Sequence, residues 1–354
     1  MSSPHSVKRR AIIKSIGGLV ATGALSPMAR AQSDKRIVVS DPGGPYALAY
    51  RKAFYDPFEK ATGIQVINIA RDSQPLAQFS AMVKTRNFMW DVTTLTLSAD
   101  VLPLEEQGFL EPIGLDSKQF PGLLPDAVRP DWLGVNVYGT VLAYRKDKYG
   151  AKGPTSLRDM WDVARFPGRR SLRRSPVDSL EQALMADGVP RDKLYPLDVD
   201  RAFRSLDKIK PHVAVWWSTG AQASQLLQNG DVDQIITWTS RAQASIDSGA
   251  PVAIVWNDAT YAIEGWGIPK GSPRAELAKA FVRFCADPVR QSVMPQYVAT
   301  GPTNRDAFKF IDPARAALLP TAPDNVKLAV NQNAAWWDKN RRAVTERFNN
   351  WLIA

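Results

Sequence analysis

Arg36-Ile37-Val38-Val39-Ser40-Asp41-Pro42-Gly43-Gly44-Pro45 opens the stretch whose reading decides the fold. Its first five residues form a short β-branched run, the mark of a buried strand. Asp41 to Pro45 is dense in turn-forming residues and reads as a tight loop. The spacing then predicts a helix over 46–62, stopped by Gly63. Ile64-Gln65-Val66-Ile67-Asn68-Ile69 reads as the next strand, 74–86 as a helix, and Asp91-Val92-Thr93-Thr94-Leu95-Thr96 as a third strand. Strand–helix–strand–helix–strand implies a parallel sheet covered by helices, so the chain is α/β.

Outward from this core the pattern continues. A helix is predicted near 101–107 and a long strand over 135–145, where a second α/β stretch begins. Its strands are predicted at 170–173, 213–216, 234–238, 251–256 and 261–268, and its helices at 179–187, 199–210 and 221–228. Helices dominate afterwards, over 275–285, 288–294, 313–319 and 336–352. There is no internal repeat and no low-complexity tract.

The N-terminal residues 1–31 are set apart as a signal peptide. Lys8-Arg9-Arg10 is basic, the run 15–26 is uncharged, and Ala29-Arg30-Ala31 is a small-x-small cleavage pattern. The uncharged run is shorter than the roughly 20 apolar residues a transmembrane helix needs. Arg9-Arg10-Ala11-Ile12-Ile13-Lys14 resembles a twin-arginine address, read by the Tat exporter of folded proteins. Cleavage near Ala31 would place the mature chain in the periplasm.

Removing that segment takes away five positive charges (Lys8, Arg9, Arg10, Lys14, Arg30), and the formal +10 falls to +5. The remaining charges of both signs are interspersed, so nucleic acid is not an expected partner. A mature chain of roughly 320 residues exceeds what one core usually supports, so two domains are expected. A single cysteine, Cys285, excludes an intramolecular disulfide, and its surroundings have helical apolar spacing, which suits a packed thiol. After cleavage His212 is the one histidine left, which excludes a Cys/His metal cluster and leaves a Ser-His-Asp triad no choice of base. No catalytic residue, metal or cofactor is expected.

Several strings, in order along the mature chain, carry a family resemblance. They are Phe58-Glu59-Lys60-Ala61-Thr62-Gly63-Ile64, Trp90-Asp91-Val92, Gly108-Phe109-Leu110-Glu111-Pro112-Ile113, Phe166-Pro167-Gly168, Gly230-Asp231-Val232 with Trp238, residues 264–269, and Gly301-Pro302-Thr303-Asn304. On these the chain resembles the spermidine/putrescine-binding proteins of ABC importers, of the type II periplasmic-binding-protein fold. The resemblance implies two lobes, each a mixed sheet flanked by helices, with a ligand cleft between them: 32–140 with 263–305, and 141–262 with 306–354. It also implies a monomer that closes on an amine-containing solute and delivers it to a membrane permease and its ATPase, without enzymatic chemistry.

A polyamine site needs carboxylates for the ammonium groups and aromatic faces along the stem. Asp178-Ser179-Leu180-Glu181 places two acids three apart at a predicted helix start, where the family has a similar acidic string. The same spacing also suits an N-cap with its capping box. Glu264 interrupts an apolar strand at a position where the family binds an amine. Trp238 and Thr96 match family aromatic and hydroxyl positions at strand ends. Asp41 and Tyr46, with Gly43 and Gly44, form a loop that would face the cleft. The sequence departs from the family at Leu97-Ser98-Ala99 and at Ala262, where aromatic residues are expected, so its aromatic box is thinner. Trp216-Trp217-Ser218-Thr219-Gly220 precedes a helix whose N-terminus suits an anionic group. That makes Ser218 and Thr219 candidates and opens the alternative of a zwitterionic solute, an aminophosphonate or an opine-like compound. Trp216 and Trp217 equally suit opposite faces of one strand.

Overall fold

The computed structural model describes residues 35–71 and 75–354, so the predicted signal segment lies outside the described residues. The strands are β1 (Arg36–Asp41), β2 (Gln65–Ala70), β3 (Val92–Thr96), β4 (Val128–Arg129), β5 (Trp132–Arg145), β6 (Arg170–Arg173), β7 (Val213–Trp217), β8 (Gln234–Trp238), β9 (Val252–Gly267), β10 (Gly301–Pro302) and β11 (Ala329–Asn331). They join in the order β2-β1-β3-β9-β5-β8-β6-β7, with β4 and β10 on β5 and β11 on β9. The sheet is mixed. The β1–β2, β1–β3, β6–β7 and β6–β8 pairs are parallel, as strand–helix alternation requires, while β9 and β5 run antiparallel to each other and to their outer neighbours. Two long strands therefore connect the set β2-β1-β3 to the set β8-β6-β7.

Each set has its own apolar packing. Beside the first, Tyr50, Phe54, Tyr55 and Phe281 surround Trp266, with ring centroids 4.9–6.4 Å from the indole. Cys285 is buried in this cluster, and burial pushes its thiol well above the usual range, as suits a packed rather than reactive cysteine. Beside the second set, Leu172, Leu180, Leu184, Phe203 and Ile236 pack with Trp337 and Phe348 of the C-terminal helix Ala334–Ile353.

Some elements differ from expectation. The helix predicted over 46–62 runs as Gly44–Tyr50, Arg51–Tyr55 and Asp56–Thr62, with a π-type middle. The two strands predicted at 251–256 and 261–268 are one strand, β9. Asp258 bridges them in a left-handed conformation (φ 64°), which a short polar side chain tolerates, and its amide donates to Leu328 O at 3.1 Å. Pairing with β11 keeps the chain extended where pairing with β5 shifts register.

Gly265 is required for the approach of β9 to β5. A Cβ there would lie 1.9 Å from Leu133 O. That close contact places Glu264 beside Asn136 on the neighbouring strand. Among the described residues no helix is long and apolar enough to cross a membrane.

Candidate functional site: an arginine-rich, aromatic-lined cleft

Alternation along β9 puts Thr260, Ala262 and Glu264 on one face. Their partners on β5 are Thr140, Tyr138 and Asn136. Thr96 at the end of β3 pairs with Glu264, and Trp238 at the end of β8 pairs with Thr140. The predicted departure at Ala262, which lacks a ring, lies directly across from Tyr138, which supplies one.

Glu264 is 6% exposed and heavily engaged. Arg71, just after β2, places Nη2 2.9 Å from Oε1, and its Nε donates to Thr94 Oγ1 at 2.7 Å. Tyr50 donates its hydroxyl to Oε2 at 3.3 Å, while Asn136 Nδ2 donates to the Tyr50 oxygen at 2.8 Å. Tyr46 lies alongside, its ring centroid 6.2 Å from that of Tyr50, and its hydroxyl donates to Ser240 Oγ at 3.4 Å. Burial, then the Glu264 charge, hold the Tyr46 phenol above its ordinary range.

Asp178 anchors a second cluster. Its backbone has φ 70° and ψ −45°, so it lies in the sparsely populated region of the γ-turn rather than in a helix. The expected shared helical face of Asp178 and Glu181 is therefore not formed, and Ser175, not Asp178, caps the segment Pro176–Ala186. Free of a capping duty, the Asp178 carboxylate accepts from Thr260 Oγ1 at 2.8 Å and Gln332 Nε2 at 2.5 Å, and pairs with Arg173 at 3.3 Å. The Arg173 guanidinium also sits 4.9 Å from the Trp238 ring centroid, so Asp178 and Trp238 are linked through one cation. Tyr138 stands between the clusters. Burial raises its phenol, with further contributions from Asp178 and Glu264.

The remaining candidates are placed differently. Glu181 is fully buried behind Asp178, where Oε1 accepts from Tyr195 at 2.5 Å and Trp337 Nε1 at 2.6 Å, and Oε2 has no partner. Burial, then the neighbouring Asp178, push it up to about 7. Asp41 accepts from Gly43 N, Tyr55 and Asn68, which ties down the loop, and burial raises it too. Thr96 N donates to Asp100, which burial pushes up to about 6. Ser218 and Thr219 are exposed and bond to Gln222 at the start of the helix Gly220–Asn229. Trp217 packs edge-on to Trp238 at 5.2 Å, whereas Trp216 packs on Trp351, so the pair does face opposite ways.

The sequence reading missed the arginines. Besides Arg71 and Arg173, Arg341 of the C-terminal helix donates to Ser98 O at 3.1 Å, and its cation is 5.6 Å from the Trp337 ring. Arg241 lies in the first turn of the helix Thr239–Asp247, which Trp238 precedes. Arg71 and Arg173 lie at C-terminal ends of sheet strands, the position where open α/β sheets bind ligands, and that rule is the signal that could have found them. Among the described residues no His/Cys/Asp/Glu cluster suits a metal. The arrangement can hold an amine against Glu264 and the tyrosines and an oxyanion against guanidinium groups.

Known proteins share this architecture. A family model of bacterial extracellular solute-binding proteins matches residues 53–321. The gamma-aminobutyric acid-binding protein of Pseudomonas aeruginosa is 34% identical over 336 residues, which cover 93% of this chain and 94% of that protein. An ABC transporter substrate-binding protein from Bradyrhizobium japonicum superposes with a TM-score of 0.84 at 37% identity, covering 89% of this chain and 99% of the other. A periplasmic binding protein from Agrobacterium tumefaciens in complex with agropinic acid gives 0.77 at 33% identity, covering 90% and 99%.

Proposed function

The chain belongs to the bacterial extracellular solute-binding protein family and is an ABC transporter substrate-binding protein, not an enzyme, and from that premise we propose that its solute is a zwitterion carrying both an amine and an acidic group. One observation carries this reading. Both cleft acids already hold arginines: Glu264 pairs with Arg71 and Asp178 with Arg173. A polyamine would bring further positive charge to carboxylates that are spoken for, and each ammonium leaving water needs its own counter-charge. A zwitterion brings an anion for the guanidinium groups as well as a cation for the acids. The relatives agree in kind, since γ-aminobutyrate is itself an amine joined to a carboxylate by a methylene chain.

In this reading the amine sits by Glu264, with Tyr46, Tyr50 and Tyr138 around it. Two lobes, 32–140 with 263–305 and 141–262 with 306–354, close about the long strands β5 and β9. The protein acts as a monomer in the periplasm, after export through Tat and cleavage near Ala31, and passes its solute to a permease and its ATPase.

A thermal-shift panel of γ-aminobutyrate, 2-aminoethylphosphonate, glutamate, putrescine and spermidine tests the solute class. A ligand at about 100 times its Kd adds about 2.7 kcal/mol of stability. A shift with an acid-bearing amine and none with the polyamines is the expected result. A shift with polyamines alone would replace the zwitterion by the polyamine.

A further inference from the structure

Trp238 and Arg241 form a corner with an unusual electrostatic character. Trp238 Nε1 and Arg241 Nε are buried and have no hydrogen-bond partner. Both are N–H groups that can only donate, so the partner they suit is an acceptor. Among the described residues no acid pairs with Arg241. Arg241 also lies in the first turn of its helix, where the aligned peptide dipoles disfavour a cation, and that turn holds no acid. The helix Gly220–Asn229 points its N-terminus at the same place and likewise has no first-turn acid. Gly220 permits the approach: a Cβ there would lie 2.4 Å from Arg241 Nε and 3.0 Å from Trp238 Cζ3. Arg173 adds a second guanidinium over the Trp238 ring. The corner borders the cleft, because Ser240, next in the chain to Arg241, accepts from Tyr46 of the Glu264 cluster.

We propose that this corner is the anion subsite, taking the carboxylate or phosphonate end of the solute on Trp238 Nε1 and the Arg241 guanidinium, and that Arg241 determines specificity for acid-bearing amines. Two helix N-termini, the Arg241 guanidinium without a matching acid and the Arg173 guanidinium shared with Asp178 make a positive pocket, and an oxyanion would satisfy its orphaned donors and its field together. The inference rests on the zwitterion reading and assigns one end of that solute to named atoms.

The test is calorimetric titration of the purified protein with γ-aminobutyrate, 2-aminoethylphosphonate, glutamate and putrescine, for the wild type, Arg241→Met and Gly220→Ala. Arg241→Met should weaken the tightest acid-bearing probe about 10–100-fold, as expected for a lost charge-assisted hydrogen bond. Gly220→Ala should weaken the same probe while the thermal midpoint holds or rises, because alanine favours the helix yet pushes Arg241 aside. Preference between γ-aminobutyrate and 2-aminoethylphosphonate distinguishes carboxylate from phosphonate. Acid-bearing probes bound equally by wild type and Arg241→Met would overturn the subsite and leave the zwitterion reading standing. Binding of putrescine with none of the acid-bearing probes would overturn both, and binding of no acid-bearing probe overturns the subsite whether or not putrescine binds.

Discussion

Nη2 of Arg71 lies 2.9 Å from Oε1 of Glu264, a contact between side chains 193 positions apart and each 8% exposed. The pair joins the end of β2 to the middle of the sheet, and it sets the electrostatics of the whole cleft. A buried carboxylate that would otherwise attract any cation is already half-answered by the protein. What the cleft accepts next depends on the charges left over.

Breaking this pair has a cost of its own. Glu264→Gln leaves the Arg71 cation buried without its acid, so unfolding should require about 3–5 kcal/mol less free energy. Denaturant titration checks it. An unchanged midpoint at unchanged slope would show that the pair contributes no such stability.

Asp178 inverts the usual residue ranking. Its φ of 70° is one that glycine adopts freely and alanine does not. Asp178→Gly should therefore be more stable than Asp178→Ala by about 1 kcal/mol or more, although both lose the contacts to Arg173, Thr260 and Gln332. In an ordinary helix interior alanine would be the better residue by a similar amount. Equal stabilities of the two variants, measured by chemical denaturation, would place residue 178 in relaxed backbone.

Glu181 makes stability fall with rising pH. Its folded-state value is pushed up to about 7 by burial, above the 4.5 of an unperturbed glutamate, so the folded state holds a proton that the unfolded state releases. Stability is then fully present below about pH 4.5 and is lost progressively as pH rises to about 7. Asp100, pushed up to about 6, acts in the same direction over a lower window. Glu181→Gln should flatten the decline between pH 6 and 7 in particular, read as the denaturation midpoint across a pH series. A decline that persists in the variant would assign it to another group.

Tyr138 is expected to serve as a ring. Tyr138→Leu should weaken an amine-bearing probe about 2–30-fold through loss of the cation–π face, and Tyr138→Phe should stay close to wild type. Equal losses in the two variants would shift the weight to the hydroxyl. The reciprocal substitution Ala262→Phe, directly across β5 and β9, should crowd Tyr138 and weaken the same probe.

Much of the fold is legible along the chain because the signals are local. β-branched runs, turn residues and helical spacing mark most of the strands and helices from their own residues. The failures are informative. One continuous β9 reads as two strands along the chain because Asn257 and Asp258 look like a break; Asp258 does take a left-handed φ, but its amide donates to Leu328 O and pairing of 259–261 with β11, about seventy residues onward, resumes the strand at once. The Asp178–Glu181 spacing resembled a capping pair because the sequence does not display the left-handed backbone at 178.

By itself the sequence determined the α/β alternation, the scarcity of cysteine and histidine that leaves no Cys/His metal cluster, and membership of the bacterial solute-binding proteins, though not the spermidine/putrescine branch its landmarks suggested. It also singled out Glu264 and Asp178, because an acid within an apolar strand or at a helix start stands out against its neighbours. Only the tertiary structure decided what those acids face. Arg71 and Arg173 have only their places at strand ends to mark them and Arg241 and Arg341 have no local mark, and all four come near these acids and rings through strand register and helix placement. The physical reason is range: a periodic pattern depends on a few adjacent residues, whereas the charge balance of a cleft depends on partners that only the folded chain brings within a few ångströms of one another.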